Sequence, residues 1–184
     1  MSQLITDRNN YRAQLADHEI GTPEYNKLLG DIGKKSEEIG ELAGQNFLAK
    51  YFDQYTVVQV KMSGNGTGEF DIIAKHNTDD LYILVECKGG NSALQPRTTE
   101  LGVTAMQGSR TYVDDITKGM EKWKLPNNPD PNISYSDPAF VNKLGDELGK
   151  SLDSEKVEHF LVHQKLDAAG NPKITEISKF ELYE

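Results

Sequence analysis

Two neighbouring stretches decide the fold: Gly68-Glu69-Phe70-Asp71-Ile72-Ile73-Ala74-Lys75 and, after a polar turn from His76 to Asp80, Leu81-Tyr82-Ile83-Leu84-Val85-Glu86-Cys87-Lys88. The second is strongly apolar over its first five residues, which predicts a central β-strand. The first predicts a shorter strand, Phe70 to Lys75, running back beside it. Side chains alternate faces along a strand, so Glu86 and Lys88 share one face, about 7 Å apart, while Ile83, Val85 and Cys87 share the other. The hairpin puts Asp71 beside Glu86. Ionised groups at the end of an apolar strand are costly unless they are paired or bind something. Two adjacent carboxylates repel unless a cation lies between them. Two readings follow: a structural Asp71–Glu86–Lys88 ion-pair cluster, or an all-oxygen site for a hard divalent cation such as Mg²⁺. In the second, Lys88 orients or helps deprotonate an attacking water.

Outward from this pair, the chain alternates helical and extended patterns. Residues 1–30 read as helix, broken at Gly21-Thr22-Pro23, with Thr22 as N-cap and Pro23 and Glu24 suited to a first turn. Residues 34–52 repeat apolar side chains at helical steps through Ile39, Leu42, Ala43, Phe47 and Tyr51. Thr56 to Val60 predicts a strand. The glycine run at 64, 66 and 68 precedes a strand rather than a helix, which is the wrong context for a nucleotide loop. Residues 89–96 read as loop. Residues 102–123 read as one long helix with a buried stripe of Val103, Met106, Val113, Ile116, Met120 and Trp123. Residues 125–139 hold four of the seven prolines and read as a loop. A short helix over 140–152 and two strands, 158–166 and 173–182, joined by a turn at 168–172, complete a mixed α/β domain.

Composition narrows the function. The chain has 184 residues, a net charge of −9 and one cysteine, Cys87. A disulfide framework and a Cys-rich zinc module are excluded. No apolar run approaches eighteen residues, so no membrane segment is expected, and the N-terminus lacks a secretory pattern. The charge is uneven: net −6 over residues 1–87, +2 over 88–124 and −5 over 125–184. The middle stretch is either a local fluctuation or a polyanion footprint that offers Arg97, Arg110 and Lys118 as nucleic-acid contacts.

Asp71, fourteen intervening residues and then Glu86-Cys87-Lys88 at a strand end resemble the PD-(D/E)xK nuclease signature. Gly40-Glu41-Leu42-Ala43, on a helix before the first strand, resembles the helical glutamate motif of that superfamily. Phe70 stands where the family pattern has proline. The motifs cover residues 35–90, and the α-β-β-β-α order extends the likeness to about residue 123. Thr104 to Val113, containing Gln107-Gly108, resembles the Gln-Gly helix of bacterial polymorphic toxin nucleases in the same superfamily, and the terminal hairpin is similar to theirs.

The resemblance implies a restriction-endonuclease-like α/β core, an α-β-β-β-α-β-β mixed sheet flanked by helices, over residues 34–184, with residues 1–33 as a helical extension. It implies Asp71, Glu86 and Glu41 as metal ligands, Lys88 and Gln107 as further catalytic residues, and Mg²⁺, Mn²⁺ or another divalent ion as cofactor. Glu37 and Glu38 are rivals of Glu41. The implied function is a DNase toxin, delivered into a target bacterial cell as part of a larger protein, acting in the cytoplasm and neutralised by a cognate immunity protein. A tRNA-cleaving RNase and a non-catalytic binding module of the same fold are the alternatives. His159 and His163 share a strand face with Leu161 and read as ordinary hairpin residues. Cys87 reads as a buried apolar cysteine.

Overall fold

The apolar run becomes the strand β3 (Tyr82–Gly89), in which every residue except Lys88 is buried. The computed structural model describes residues 1–62 and 68–183. Before β3 come α1 (Ser2–Gln14), a 3-10 turn (Leu15–Asp17), α2 (Pro23–Tyr51), β1 (Tyr55–Val58) and β2 (Ile72–His76). After it come β4 (Pro96–Thr98), β5 (Thr104–Met106), α3 (Arg110–Glu121), α4 (Pro138–Asp153), β6 (Val157–Leu166) and β7 (Pro172–Phe180). Residues 63–67 of the glycine-rich loop lie outside the described residues.

Five strands form one mixed sheet in the order β1-β2-β3-β6-β7. β3 and β6 run parallel; the other neighbours are antiparallel. A parallel pair needs a long crossover, and α3 and α4 lie in it. On one face Ala43, Phe47 and Leu48 of α2 cover Ile72, Ala74, Ile83, Val85, Cys87 and Val162. On the other, Val113, Ile116 and Met120 of α3 and Val141, Leu144, Leu148 and Leu152 of α4 cover Ile73, Tyr82, Leu84 and Val157. The result is an α/β fold with four α-helices among the described residues.

The start of α2 follows its local signals. Thr22 caps it by accepting the Tyr25 N–H at 3.3 Å, and Pro23 begins it. The helix expected from residue 34 thus begins at Pro23 and runs unbroken through the expected boundary at 33/34.

Residues 102–109 depart from expectation. Instead of opening a helix, Thr104–Met106 pairs antiparallel with Pro96–Thr98 in a small ribbon. Gly102 and Gly108 take φ of +76° and +93°, and Ser109 caps α3 by accepting the Tyr112 N–H. Both glycine conformations break a helix. Val103 and Met106, expected in the buried stripe, are about half exposed, whereas Val113, Ile116 and Met120 are buried.

Candidate active site

The β2–β3 register pairs Ile72 with Val85, so the next step outward sets Asp71 beside Glu86. Asp71 Oδ2 accepts the Cys87 backbone N–H at 2.7 Å. This bond ties the loop before β2 to the end of β3 and holds the two carboxyls within hydrogen-bonding reach of each other. Lys88 Nζ lies 3.9 Å from Glu86 Oε2. Cys87 points to the opposite face, under α2.

Gln107 comes to the same place, although it lies in the turn before α3 rather than on a helix. Its backbone N–H donates to the Gln95 carbonyl, and its Oε1 accepts the Gln95 N–H at 2.9 Å. That double contact fixes the amide, which donates through Nε2 to Glu86 Oε2 at 3.0 Å. Gly108 makes the turn possible. Besides its positive φ, an added Cβ there would fall 2.3 Å from Cε1 of Phe180 on β7.

Glu41 arrives from α2, on the far side of the sheet end. Gly40 lets the helix touch β3: a Cβ on it would fall 2.7 Å from the Lys88 carbonyl carbon and 2.9 Å from the Gly89 nitrogen. This contact sets Glu41 at the rim beside Asp71. Of its rivals, Glu38 is engaged by Lys35 at 2.8 Å, while Glu37 lines the groove with Glu41.

These residues surround an open groove of about 950 Å³. Asp71, Lys88, Gln107 and Tyr112 line it, together with Lys34, Glu37, Glu41, Lys61 and Arg97. Arg97 makes an ion pair with Asp115 at 2.8 Å and turns its other terminal nitrogen toward Gly68. Arg110 and Lys118 are not brought to the groove. Arg110 is committed to Asp114, Asp153 and the Leu152 carbonyl, joining α3 to the end of α4. The expected phosphate contact from Arg110 is corrected accordingly: its ion pairs at i+4 and across to α4 occupy the guanidinium. Lys118 lies exposed in the last turn of α3.

The carboxylates here hold protons tightly. Glu86 is 1% exposed, and burial, then the neighbouring Asp71 charge, push its carboxyl up to about 7, against the pull of Lys88. Asp71 lines the groove and is exposed there. Burial raises its carboxyl too, opposed by the Cys87 N–H and Lys88. Glu41 is raised by burial and then by Asp71. Glu86 Oε1 is buried with no hydrogen-bond partner among the described residues.

Four further residues at the site were not among the expected site residues. Tyr112, in the first turn of α3, is buried against Glu86 and Gln107, and burial followed by the Glu86 charge raises its phenol. Lys34 and Lys61 lie in acidic segments. His159 on β6 is completely buried behind Glu86; burial lowers it to about 3, so the ring is neutral. His163 is accounted for by a 2.8 Å bond with the Gly90 carbonyl.

The donor set suits a hard divalent cation: all oxygen, with two carboxyls side by side. The oxygens are not arranged as a ready cage. Among the described residues no group of three or more His, Cys, Asp or Glu stands close enough together to hold an ion. No described helix is long and apolar enough to cross a membrane. Comparison with family models, with curated proteins and with solved structures finds no match to this chain.

Proposed function

We propose that this chain is a divalent-metal-dependent nuclease that hydrolyses phosphodiester bonds at the Asp71–Glu86–Lys88 end of the sheet. One observation carries the reading. Two adjacent carboxyls, Asp71 on the groove and Glu86 buried beside it, lie with Lys88 at a groove that Lys34, Lys61 and Arg97 also line. Burial raises both carboxyls despite the nearby Lys88. The α2-β1-β2-β3 order, with the parallel β6 beside β3, supports the restriction-endonuclease-like reading of the core.

Asp71, Glu86 and Glu41 would hold the metal. Bound there, Mg²⁺ or Mn²⁺ supplies a Lewis acid for a phosphate oxygen and lowers the pKa of its water. Lys88 orients the attacking water and balances charge as it develops on the phosphate. Gln107 holds Glu86 Oε2 in place. Lys34, Lys61 and Arg97 face the polyanion, which lets an acidic protein bind nucleic acid locally. DNA is the favoured substrate, and the biological role is that of a toxin acting inside a target bacterial cell and held in check by an immunity protein.

The test is cleavage of plasmid DNA and of total RNA, with Mg²⁺ or with EDTA, by wild type and Lys88→Ala. Metal-dependent cutting of DNA that falls about 10²–10³-fold in the variant is the expected result. Cutting of RNA alone moves the substrate to RNA. No cutting of either by folded, metal-supplied protein removes the nuclease reading.

A further inference from the structure

We propose that His159 is a positioning residue of the site: its Nε2–H is the donor that holds Glu86 Oε1, leaving Oε2 as the oxygen the site uses. The inference rests on the nuclease reading above, because it assigns a working oxygen to Glu86. It starts from three buried polar atoms. Glu86 Oε1, His159 Nδ1 and His159 Nε2 all lack a hydrogen-bond partner among the described residues. Two of them face each other, Nε2 and Oε1, at 3.9 Å. An unpaired carboxylate oxygen and an unpaired imidazole would each be unfavourable in such a place. Paired with one another, Oε1 and Nε2 each gain a partner.

The register explains why they meet. β3 and β6 are parallel, with Leu84 opposite His159 and Glu86 opposite Leu161, so His159 and Glu86 lie on one sheet face, one pleat apart. The ring is 0% exposed. Phe180 packs against it at 4.8 Å between ring centroids, and Phe70 meets it edge-on at 6.3 Å. This aromatic surround would accept a phenylalanine equally well, so packing does not explain a histidine. A neutral imidazole carries one N–H. Placing it on Nε2 directs it at the carboxylate and leaves Nδ1 toward the apolar surround. The separation exceeds a direct hydrogen bond by about 1 Å, a gap that a small rotation of the carboxyl closes.

Glu86 is then held from two sides. Gln107, from the turn before α3, fixes Oε2, and His159, from the sheet, fixes Oε1. Phe180 lies against the His159 ring and fills the space beside Gly108, the residue after Gln107. The terminal strand β7 thereby closes the back of the site. Partners of this kind set the orientation of a metal-binding carboxylate, and their loss typically weakens the metal by about 10–100-fold.

Two variants separate positioning from packing. His159→Phe keeps the ring and removes the N–H; His159→Gln keeps an N–H near the Nε2 position. Mn²⁺ alone is titrated calorimetrically into wild type and both variants. Plasmid cleavage is followed as kcat and KM, and thermal midpoints report folding. The expected result is that His159→Phe stays folded, binds Mn²⁺ about 10–100-fold more weakly and loses kcat with little change in KM, and that His159→Gln recovers most of the loss. Wild-type Mn²⁺ affinity in His159→Phe overturns the proposal, as does equal loss in both variants. Ring-nitrogen NMR of the metal-free wild-type protein decides the pairing without metal or activity. An Nε2–H tautomer whose signal moves in Glu86→Gln supports it; an Nδ1–H tautomer, or a signal blind to Glu86→Gln, overturns it. Failure of wild type to bind Mn²⁺ or to cut nucleic acid removes the nuclease reading and the working role of Oε2, while the NMR result still decides whether the two groups are bonded.

Discussion

The two ends of the β2–β3 pair each carry lysine and acid, and they behave in opposite ways. At one end Lys75 Nζ meets Glu147 Oε2 of α4 at 2.8 Å, and the Tyr82 hydroxyl donates to the same oxygen at 2.7 Å. Lys75 holds the Glu147 carboxyl below its ordinary range, and Glu147 holds the Lys75 ammonium above its own. At the other end Asp71 and Glu86 crowd one another, Lys88 stays 3.9 Å away, and both carboxyls are pushed up. The Lys75 end is a finished ion pair that fastens α4 to the sheet. The Asp71 end has more negative charge than its lysine balances, and one of its carboxyls, Glu86, is fully buried. The Lys75 end is a plain ion pair, and the Asp71 end is the one for which a bound cation is proposed.

The sharpest way to break this comparison is to neutralise one acid at each end and measure cleavage with Mg²⁺. Asp71→Asn is expected to lower the rate about 10²–10⁴-fold, whereas Glu147→Gln leaves it near wild type. Equal loss from both would mean that the two ends contribute only through the stability of the sheet.

The helix contact behind the site gives the next largest effect. Gly40→Ala places a methyl group 2.7 Å from the Lys88 carbonyl carbon, against backbone that cannot swing aside. α2 must move off the strand, at about 1–3 kcal/mol, and Glu41 moves with it. A lower thermal midpoint together with weaker Mn²⁺ binding is expected. Wild-type values for both would show that α2 gives way without disturbing the site.

How far the sequence reveals this arrangement depends on the distance over which each feature is encoded. Asp71, Glu86 and Lys88 were legible because strand alternation and one short hairpin place them. Glu41 was legible through Gly40, whose missing side chain is the reason the helix can touch Lys88. Gln107 was located while its element was misread, since Val103 and Met106 continue the spacing of Val113, Ile116 and Met120. Local signals, the two positive-φ glycines and the Ser109 cap, override that spacing, together with a pairing to Pro96–Thr98 that no periodicity shows. His159 and Tyr112 were missed because their places depend on a parallel pairing across some seventy residues of sequence and on how α3 packs. Arg110 was misassigned because a charge count overlooks Asp114 one turn on and Asp153 on another helix.

The smallest effects sharpen the comparison most, because the two ends should respond to pH with opposite sign. Glu86 takes up its proton more tightly in the fold than in the unfolded chain. Its contribution to stability is therefore present at low pH and lost as the pH rises through about 7. Metal-free Glu86→Gln should be more stable than wild type at pH 8, by on the order of 1–3 kcal/mol, and the gain should vanish toward pH 5. Glu147 is the reverse case. Its carboxyl is held low by Lys75, so its contribution is present at neutral pH and fades as the pH falls below the ordinary glutamate value of about 4.3. The pair is about one-third exposed on each side, so solvent screening keeps the loss in Glu147→Gln near or below about 1 kcal/mol at pH 7. Thermal midpoints of both variants against pH, in EDTA, check the two curves together. A Glu86→Gln variant that is less stable than wild type at pH 8 would show Glu86 to be a satisfied partner of Lys88 after all, and the two ends of the hairpin would then be the same kind of structure.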